Sequence, residues 1–245
     1  MMKTLLAVLL SSSAFLANAH IFSNDEFEKV ETKTLSLPAS SLDNFSIEAG
    51  AGSLTIIGHN NNVIEVTADI YQNEVGAKYC LSLAPKSSDD SKAKLKANSC
   101  ENNNHTKINL AVYVPNQLLT DVSDGSGPIN ISQASVTVIN DGSGEIKVAD
   151  NLTALTINDG SGQIDVNNQK GKLVINDGSG SVEVKGVEGD VRISDGSGSI
   201  DVADVAGQVS VSDGSGSISV DNAYNFELLS DGSGSVNVSN VERRK

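Results

Sequence analysis

The sequence predicts an all-β protein: a right-handed, two-sided parallel β-solenoid with 18-residue coils and an irregular N-terminal cap that contains a hairpin. Three observations predict this fold. The tetrapeptide Asp-Gly-Ser-Gly recurs seven times at near-constant spacing. Between its copies, aliphatic residues alternate with polar ones, as in strands with one buried face. Aromatic residues make up only 4% of the chain and Trp is absent, which fits a thin aliphatic core between two sheets.

Residues 1–19 have the organisation of a secretory signal peptide. Lys3 precedes an apolar run, and Ala17-Asn18-Ala19 forms a small-x-small cleavage site. The alternative is a buried N-terminal helix, since the apolar run is too short to span a bilayer. We therefore expect an exported protein, periplasmic or extracellular, without a membrane span.

Residues 20–45 are expected to form a cap segment, and residues 46–123 degenerate coils. The octapeptide that begins at Ala49, Ala-Gly-Ala-Gly-Ser-Leu-Thr-Ile, matches a regular Asp-Gly-Ser-Gly-Ser-Ile-Asp-Val coil position by position. We expect Val63, Val66 and Ile70 to continue this coil, and residues 108–114 to form a further strand. Most of the rings lie in this part of the chain, which is typical of a cap that protects a sheet edge; they are Phe22, Phe27, Phe45, Tyr71, Tyr79 and Tyr113.

The two cysteines, Cys80 and Cys100, flank a predicted hairpin inserted among the degenerate coils. Two alternating segments, 79–83 and 93–97, are separated by a polar turn. A turn centred near residue 90 places Cys80 opposite Cys100, within reach of a disulfide in an oxidising compartment. The alternative is a pair of free thiols.

Residues 124–241 contain the regular repeats, in which two short alternating runs per coil are separated by two turns. The seven tetrapeptides begin at Asp124, Asp141, Asp159, Asp177, Asp195, Asp213 and Asp231, the first interval being 17 residues and the others 18. Gly171, Gly189 and Gly207 recur at the second turn and suit a positive φ. The alternation predicts an interior composed of Ile146, Val148, Leu155, Ile157, Ile164, Val166, Leu173, Ile175, Val182, Val184, Val191, Ile193, Ile200, Val202, Val209, Val211, Ile218 and Val220.

Two places break the period, and we expect irregular backbone at both. Residues 136–139 lie in the 17-residue coil, and residues 226–229 would point Glu227 inward if the template held. A β-bulge would shift the alternation and solve both cases. Alternatively, Phe226 and Leu228 stay outside and form an apolar patch, a candidate partner surface.

Stacking aligns the seven Asp side chains of the tetrapeptides in a column. The first interpretation is structural: each carboxylate accepts a backbone N–H of its own turn, as in Asx-turns. The alternative is a calcium ladder, since carboxylates, hydroxyls and turn carbonyls are suitable ligands. A second column, Asn140, Asn158 and Asn176 followed by Ser194, Ser212 and Ser230, is expected to hydrogen-bond between coils and maintain register.

Composition excludes several function classes. The net charge of −14 argues against nucleic-acid binding, which needs neutralising cations. The three His residues, His20, His59 and His105, are too scattered for an obvious metal or catalytic cluster. The Gly-x-Gly of each turn precedes a strand rather than a helix, so it is not a phosphate loop. We expect no enzymatic activity and no cofactor, with calcium as the alternative.

The chain resembles the bacterial putative-adhesin family of exported β-solenoids. The likeness covers residues 30–241 and rests on Leu35-Ser36-Leu37-Pro38, on residues 45–56, on Val112-Tyr113-Val114-Pro115 and on the Gly-Ser-Gly turns. The resemblance implies the solenoid architecture and an adhesin-like role. It brings no catalytic residues, since the family has no settled activity.

The sequence therefore favours a non-enzymatic exported module that presents flat solenoid faces to a protein or glycan partner. The alternatives are a calcium-dependent carbohydrate-binding protein and a glycan-active enzyme on a β-helix. Residues 242–245 form a basic tail, and Arg243, Arg244 and Lys245 are charges of the kind that discourage edge-to-edge stacking. We accordingly expect a monomer; the alternative is that the tail meets the acidic body of a neighbouring copy.

Overall fold

The computed structural model describes residues 26–86, 89–100 and 105–241, and every regular element in these residues is a β-strand. The signal peptide, the first residues of the cap segment and the basic tail predicted above lie outside the described residues. No helix in the described ranges is long and apolar enough to cross a membrane. In chain order the strands are β1 (Glu28–Pro38), β2 (Asn44–Ala49), β3 (Leu54–His59), β4 (Val63–Gln72), β5 (Tyr79–Lys86), β6 (Asp89–Ser99), β7 (Thr106–Pro115), β8 (Leu119–Ser123), β9 (Ile129–Ser132), β10 (Ser135–Asp141), β11 (Ile146–Ala149), β12 (Leu155–Asp159), β13 (Ile164–Gln169), β14 (Leu173–Asp177), β15 (Val182–Val187), β16 (Val191–Asp195), β17 (Gly198–Asp213), β18 (Gly216–Asp231) and β19 (Gly234–Val241).

The regular coils stack so that each contributes one strand to each of two parallel layers. We call these layers sheet one (β8, β10, β12, β14, β16 and the second halves of β17 and β18) and sheet two (β9, β11, β13, β15, the first halves of β17 and β18, and β19). Equivalent residues of successive coils pair directly: Ile164 with Val182, and Val182 with Ile200. The two-sided parallel solenoid with 18-residue coils is thus confirmed.

The core is the slab between the two sheets. All eighteen residues that the alternation placed inside are buried, with 0–3% of their surface exposed. Neighbouring aliphatics in a column are one strand spacing apart, about 4.8 Å, so every coil buries the inward face of the next. Each fully buried aliphatic side chain stabilises the fold by roughly 1.5–3 kcal/mol.

At the N-terminal end the order of the coils in space differs from their order in the sequence. Strand β2 lies between β6 and β8 in sheet one, and β3 lies between β7 and β9 in sheet two. The coil formed by β6 and β7 therefore stacks outside the coil formed by β2 and β3, although it comes later in the chain. As predicted, the turn after β2 replaces a regular turn, because the N–H groups of Gly125 and Ser126 donate to the Gly50 carbonyl.

Strand β4 corrects one sequence prediction. Instead of continuing the first coil, it runs antiparallel between β1 and β7 and extends sheet two beyond the solenoid. Its inward residues include Ile64 and Ile70, whereas Val63 is half-buried. The alternation was read correctly at Val66 and Ile70, but nothing local in a strand specifies whether its partner is parallel or antiparallel.

The Cys-linked hairpin is formed by β5 and β6 as predicted. Cys80 pairs with Asn98 in the strand register, and the disulfide to Cys100 joins Cα atoms 5.2 Å apart. The hairpin does not interrupt the stack, however, because β6 pairs in parallel with β2 along its length. It forms the end of sheet one.

Both expected irregularities are β-bulges. In β10 the register against β8 shifts between Val136 and Val138, which leaves Thr137 as the extra residue. In β18 the register against β17 shifts after Leu228, because Val211 pairs with Leu228 and Ser212 with Ser230. An earlier shift, between the Val205–Ala223 and Gln208–Asn225 pairs, moves the register by one residue, and the bulge after Leu228 restores it. Between the two shifts Glu227 lies on the outer surface, opposite Ser210.

Candidate functional site

The aspartates of the tetrapeptide turns point into the solenoid. In β14 the buried positions are Leu173, Ile175 and Asp177, so the aspartate continues the inward alternation of its strand. The same holds in the other regular coils: Asp124, Asp141, Asp159, Asp177, Asp195 and Asp213 are 4–8% exposed. We call these six residues the aspartate column. Asp231, at the last turn, is exposed.

Each carboxylate of the column is only partly satisfied by hydrogen bonds. In four rungs Oδ1 accepts the N–H of the turn serine at 3.2–3.3 Å, as in Asp159 with Ser161. These four rungs confirm the Asx-turn interpretation. Among the described residues, the Oδ2 atoms of the column have no hydrogen-bond partner, and in Asp124 and Asp141 neither oxygen has one.

Burial, with the charge of neighbouring carboxylates at most rungs, raises the pKa values of the column from Asp124 to Asp195. Burial, reinforced by the charge of Asp141, raises the pKa of Asp124 to about 7. The pKa of Asp141 rises to about 6 for the same reason, with Asp159 as its neighbour, and the pKa of Asp177 also rises to about 6. Burial raises the pKa values of Asp159 and Asp195. The column therefore takes up protons in the pH range in which an exposed aspartate is fully ionised.

The fit of the column to a cation is limited by its linear arrangement. Calcium takes 6–8 oxygen ligands, whereas a column with one carboxylate per coil presents only neighbours above and below. Of the described side chains, no three His, Cys, Asp or Glu residues converge in a group that could hold a metal ion. The column contains carboxylate oxygens that accept no hydrogen bond from the described residues. The calcium alternative depends on these oxygens.

The turns that carry the column stack with almost no space between successive coils. At Gly198 φ is 149°, and an added Cβ would overlap the carbonyl oxygen of Gly180 in the preceding coil. Backbone hydrogen bonds continue through the turns, as from the Gly196 N–H to the Asp177 carbonyl at 3.1 Å. The glycines of the tetrapeptide are therefore required because the turns of successive coils lie in direct backbone contact.

The second turn of the coils contains a column of residues with positive φ that could not be recognised from the alternation of the strands. Six non-glycine residues spaced along it adopt positive φ: Gln133, Asp150, Asn168, Asp204, Asn222 and Asn240. Asn and Asp tolerate this conformation better than other side chains, and their recurrence from Asp150 to Asn240 at 18-residue intervals, with Gly186 in place of one of them, was the available signal. The expectation for the glycines was correct only at Gly171; Gly189 and Gly207 do not have positive φ and are needed because the backbone of the preceding coil lies too close for a Cβ.

The predicted Asn and Ser column forms hydrogen bonds between coils. The Asn158 amide donates to Asn140, and the Asn176 amide to Asn158, both at 2.8 Å. Ser212 and Ser230 are also hydrogen-bonded. These side chains lie on the outer surface of sheet one and link successive coils.

A shallow groove of about 310 Å³ crosses the outer face of sheet two. We call it the sheet-two groove; its side chains are Thr55, Ile57, Asn130, Ser132, Lys147, Ala149, Asp165 and Asn167. The exposed surface of the groove is mainly apolar and includes Ile57 and Ala149, and hydroxyl, amide and charged side chains of four adjacent strands lie around it. Tyr113, 40% exposed, pairs with Ile57 on the next strand and extends this surface. The sequence analysis missed the groove because its residues come from coils far apart in the chain.

The candidate patch residues Phe226 and Leu228 lie at the C-terminal end of the stack. The register places them in the inward columns of Val209 and Val211, rather than on the outer face. Leu228 is nevertheless 41% exposed and Phe226 is half-buried. Their exposure therefore comes from the position of their coil at the end of the described stack.

Comparisons with known proteins support the fold. No family model matches the chain, and no curated protein matches it. A crystal structure of a putative adhesin from Bacteroides fragilis is similar, with a TM-score of 0.55 and 14% identity over 85% of this chain and 97% of that one. The sequence-based likeness to putative adhesins is thus confirmed at the level of the fold.

Two further crystal structures cover similar shares of the chain at lower TM-scores. A putative cell adhesion protein from Clostridium sporogenes has a TM-score of 0.38 and 13% identity over 86% of this chain and 99% of its own. A putative lipid binding protein from Parabacteroides distasonis has a TM-score of 0.40 and 14% identity over 86% and 97%.

Proposed function

We propose that this protein is an exported, non-enzymatic, adhesin-like module that binds a glycan in the sheet-two groove. The observation that carries the proposal is the composition of the groove: a mainly apolar surface that includes Ile57 and Ala149, flanked by hydroxyl, amide and charged side chains, all on strands of one rigid sheet. Sugars present hydroxyl groups around apolar C–H faces, and a mainly apolar surface with a few placed hydrogen-bonding groups suits such ligands. The fold shared with a solved putative adhesin agrees with an adhesive role.

A glycan array probed with the full chain tests this proposal. We expect Thr55→Ala and Asn130→Ala each to weaken binding of the glycans retained by the wild type about five- to tenfold, the equivalent of one lost hydrogen bond. Thr156→Ala is the matched control, because Thr156 is a half-buried, outward-facing residue of β12 in sheet one. Retained glycans should be recovered uncleaved.

Three results would contradict the proposal. If no glycan on the array were bound, and a protein ligand were bound by the wild type but not by Thr55→Ala, the groove would be a site for a protein partner. If Thr55→Ala and Thr156→Ala weakened glycan binding equally, the glycan would not bind in the sheet-two groove. Cleavage of a retained glycan would support the enzyme alternative.

Calcium-dependent glycan binding is the second candidate, and the unpartnered oxygens of the aspartate column favour it. In this alternative, calcium raises the melting temperature at pH 8 in the wild type and loses part of that effect in Asp177→Asn. Magnesium and a chelator serve as controls. A melting temperature and glycan affinity that do not change with calcium would eliminate this candidate and leave the first proposal intact.

A further inference from the structure

The C-terminal end of the stack leaves two strand edges without a partner among the described residues. Strand β19 pairs with the first half of β18 in sheet two. The second half of β18, residues 225–231, pairs with β17 in sheet one, and no described strand covers its other edge. In the inner coils the Ile164 N–H donates to Ser181 of the next coil at 2.9 Å. By the same pattern the Val236 N–H faces the open edge.

The same end exposes the cross-section of the core. Val236, Val238 and Leu228 point along inward columns but are 39%, 37% and 41% exposed. Their equivalents one coil earlier, Ile218 and Val220, are at most 1% exposed. Residues 234–241 carry no charged side chain, although charges and prolines are the usual protection of an edge strand and the charged residues 242–245 follow in the sequence. On the other edge Glu227 lies on the outer surface and Asp231 at the last turn, so neither charge belongs to the apolar cross-section. The end thus combines open hydrogen-bonding groups with apolar side chains.

The two open edges form a step. Strand β19 in sheet two extends half a coil beyond residues 225–231 in sheet one, because the coils rise continuously. A two-fold axis parallel to the strands exchanges the two sheets and fits the step of one copy against the step of another. Each β19 then lies beside residues 225–231 of the other copy, and the paired strands run antiparallel because the two sheets of a solenoid run in opposite directions. The edges are similar in length, eight and seven residues.

From this step we propose that two copies of the chain associate end to end through their C-terminal coils. The pairing continues both sheets across the junction and brings Val236 and Val238 of one copy over Phe226 and Leu228 of the other. The opposite end does not offer the same fit, because its outermost strands, β1 and β5, run antiparallel to their neighbours and carry the charges and proline that protect an edge, such as Lys29, Glu31 and Pro85. Contact through the same end of both copies forms a closed dimer instead of a fibre.

The two-fold axis also determines the directions in which the two sheet-two grooves face. The two-fold axis places sheet two of one copy in line with sheet one of the other. The two sheet-two grooves consequently face opposite sides of the assembly, so one dimer presents ligand sites in two directions. Such an arrangement suits bridging between two surfaces.

Light scattering on the full chain, over a range of concentrations at about 0.15 M salt, tests the dimer. This ionic strength screens repulsion between two copies of net charge −14 beyond about 8 Å. We expect twice the chain mass for the wild type. Val238→Lys should yield the monomer mass, because it places a charge on the apolar end. Asn237→Lys is the matched control: it adds the same charge to the outward side of β19 and should remain dimeric.

A second measurement keeps the proposal testable if Val238→Lys fails to fold. In the wild type, hydrogen exchange at the Val236 amide should slow at least tenfold between the dilute and the concentrated protein, while exchange at a turn amide such as Gly76 stays unchanged. A wild-type monomer at every concentration, as the sequence predicted, would overturn the proposal. So would larger assemblies, equal dissociation by both lysine variants, or Val236 exchange independent of concentration.

Discussion

At the scale of single residues, the second glycine of each tetrapeptide determines whether the coils can stack. Gly198 shows the requirement: its φ of 149° lies in a region that side chains rarely adopt, and the carbonyl of Gly180 occupies the space of a Cβ. The same contact recurs from Gly144 to Gly234. Backbone contact between successive turns therefore requires glycine at this position of the repeat.

Gly198→Ala is expected to destabilise the protein by at least about 2 kcal/mol, because the methyl group adds overlap with a backbone carbonyl to the strain of the positive φ. For a chain of this size that corresponds to a melting temperature lower by roughly 4–8 °C, measured by circular dichroism. Gly76→Ala is the control, since Gly76 also has positive φ but open space around it, and it should cost about 1 kcal/mol. Equal losses for the two variants would show that stacking contributes nothing.

At the scale of one element, the bulge of β10 is held by a buried amide. The Val136 N–H donates to Asn151 Oδ1 at 2.8 Å, and Asn151 Nδ2 donates to the carbonyls of Val136 and Thr153. A further bond links Asn151 to Gln169 in the next coil. Asn151 and Gln169 are fully buried, and they occupy the corner that Val187 and Val205 fill in later coils. The 17-residue coil thus has its own polar support.

Asn151→Ala should destabilise the protein by roughly 2–4 kcal/mol, since it leaves the buried Val136 N–H and carbonyl without their partner. Urea unfolding provides the measurement. Asn167→Ala is the control, because Asn167 lies half-buried on the outer face and its side-chain amide donates to Asp165 of the same strand; it should change stability by less than about 0.5 kcal/mol. A loss at Asn151 no larger than at Asn167 would refute the supporting role.

At the scale of the whole molecule, the aspartate column links stability to pH. The native pKa values of its carboxyls from Asp124 to Asp195 are raised above the unfolded value of about 3.9, so the native state holds more protons than the unfolded state between pH 4 and 7. The resulting stabilisation is fully present below about pH 4 and is lost as the pH rises through the native pKa values of 6–7.

We therefore expect the free energy of unfolding of the wild type to fall between pH 5 and pH 8, as measured by urea titration. Asp177→Asn, which keeps the acceptor for the Ser179 N–H, should raise stability at pH 8 by on the order of 1 kcal/mol and reduce the pH dependence. The control Asp201→Asn removes an exposed, outward-facing carboxylate and accounts for the change in net charge. If the aspartate column did not affect stability, the free energy of unfolding would depend on pH in the same way in Asp177→Asn and Asp201→Asn.

The sequence by itself determined the regular part of this protein. A period of 18 places identical residues above one another, and a period of 2 assigns each side chain to the core or the surface, so the interior from Ile146 to Val220 could be read directly. The same alternation also specifies the inward direction of Asp177, because Asp177 lies two positions after the buried Ile175. These features were predictable because they depend on neighbours related by a constant translation along the stack.

The tertiary structure decided what repetition leaves open. Either edge of β2 could accept a parallel strand, so only the folded chain shows that β6 takes one edge and β8 the other. The sheet-two groove combines Thr55 with Asn167, more than a hundred residues apart. The raised pKa of Asp124 arises from burial and from Asp141 in the next coil, and the open step at β19 arises where stacking stops. Each depends on which strands become neighbours in space, and local alternation carries no information about that choice.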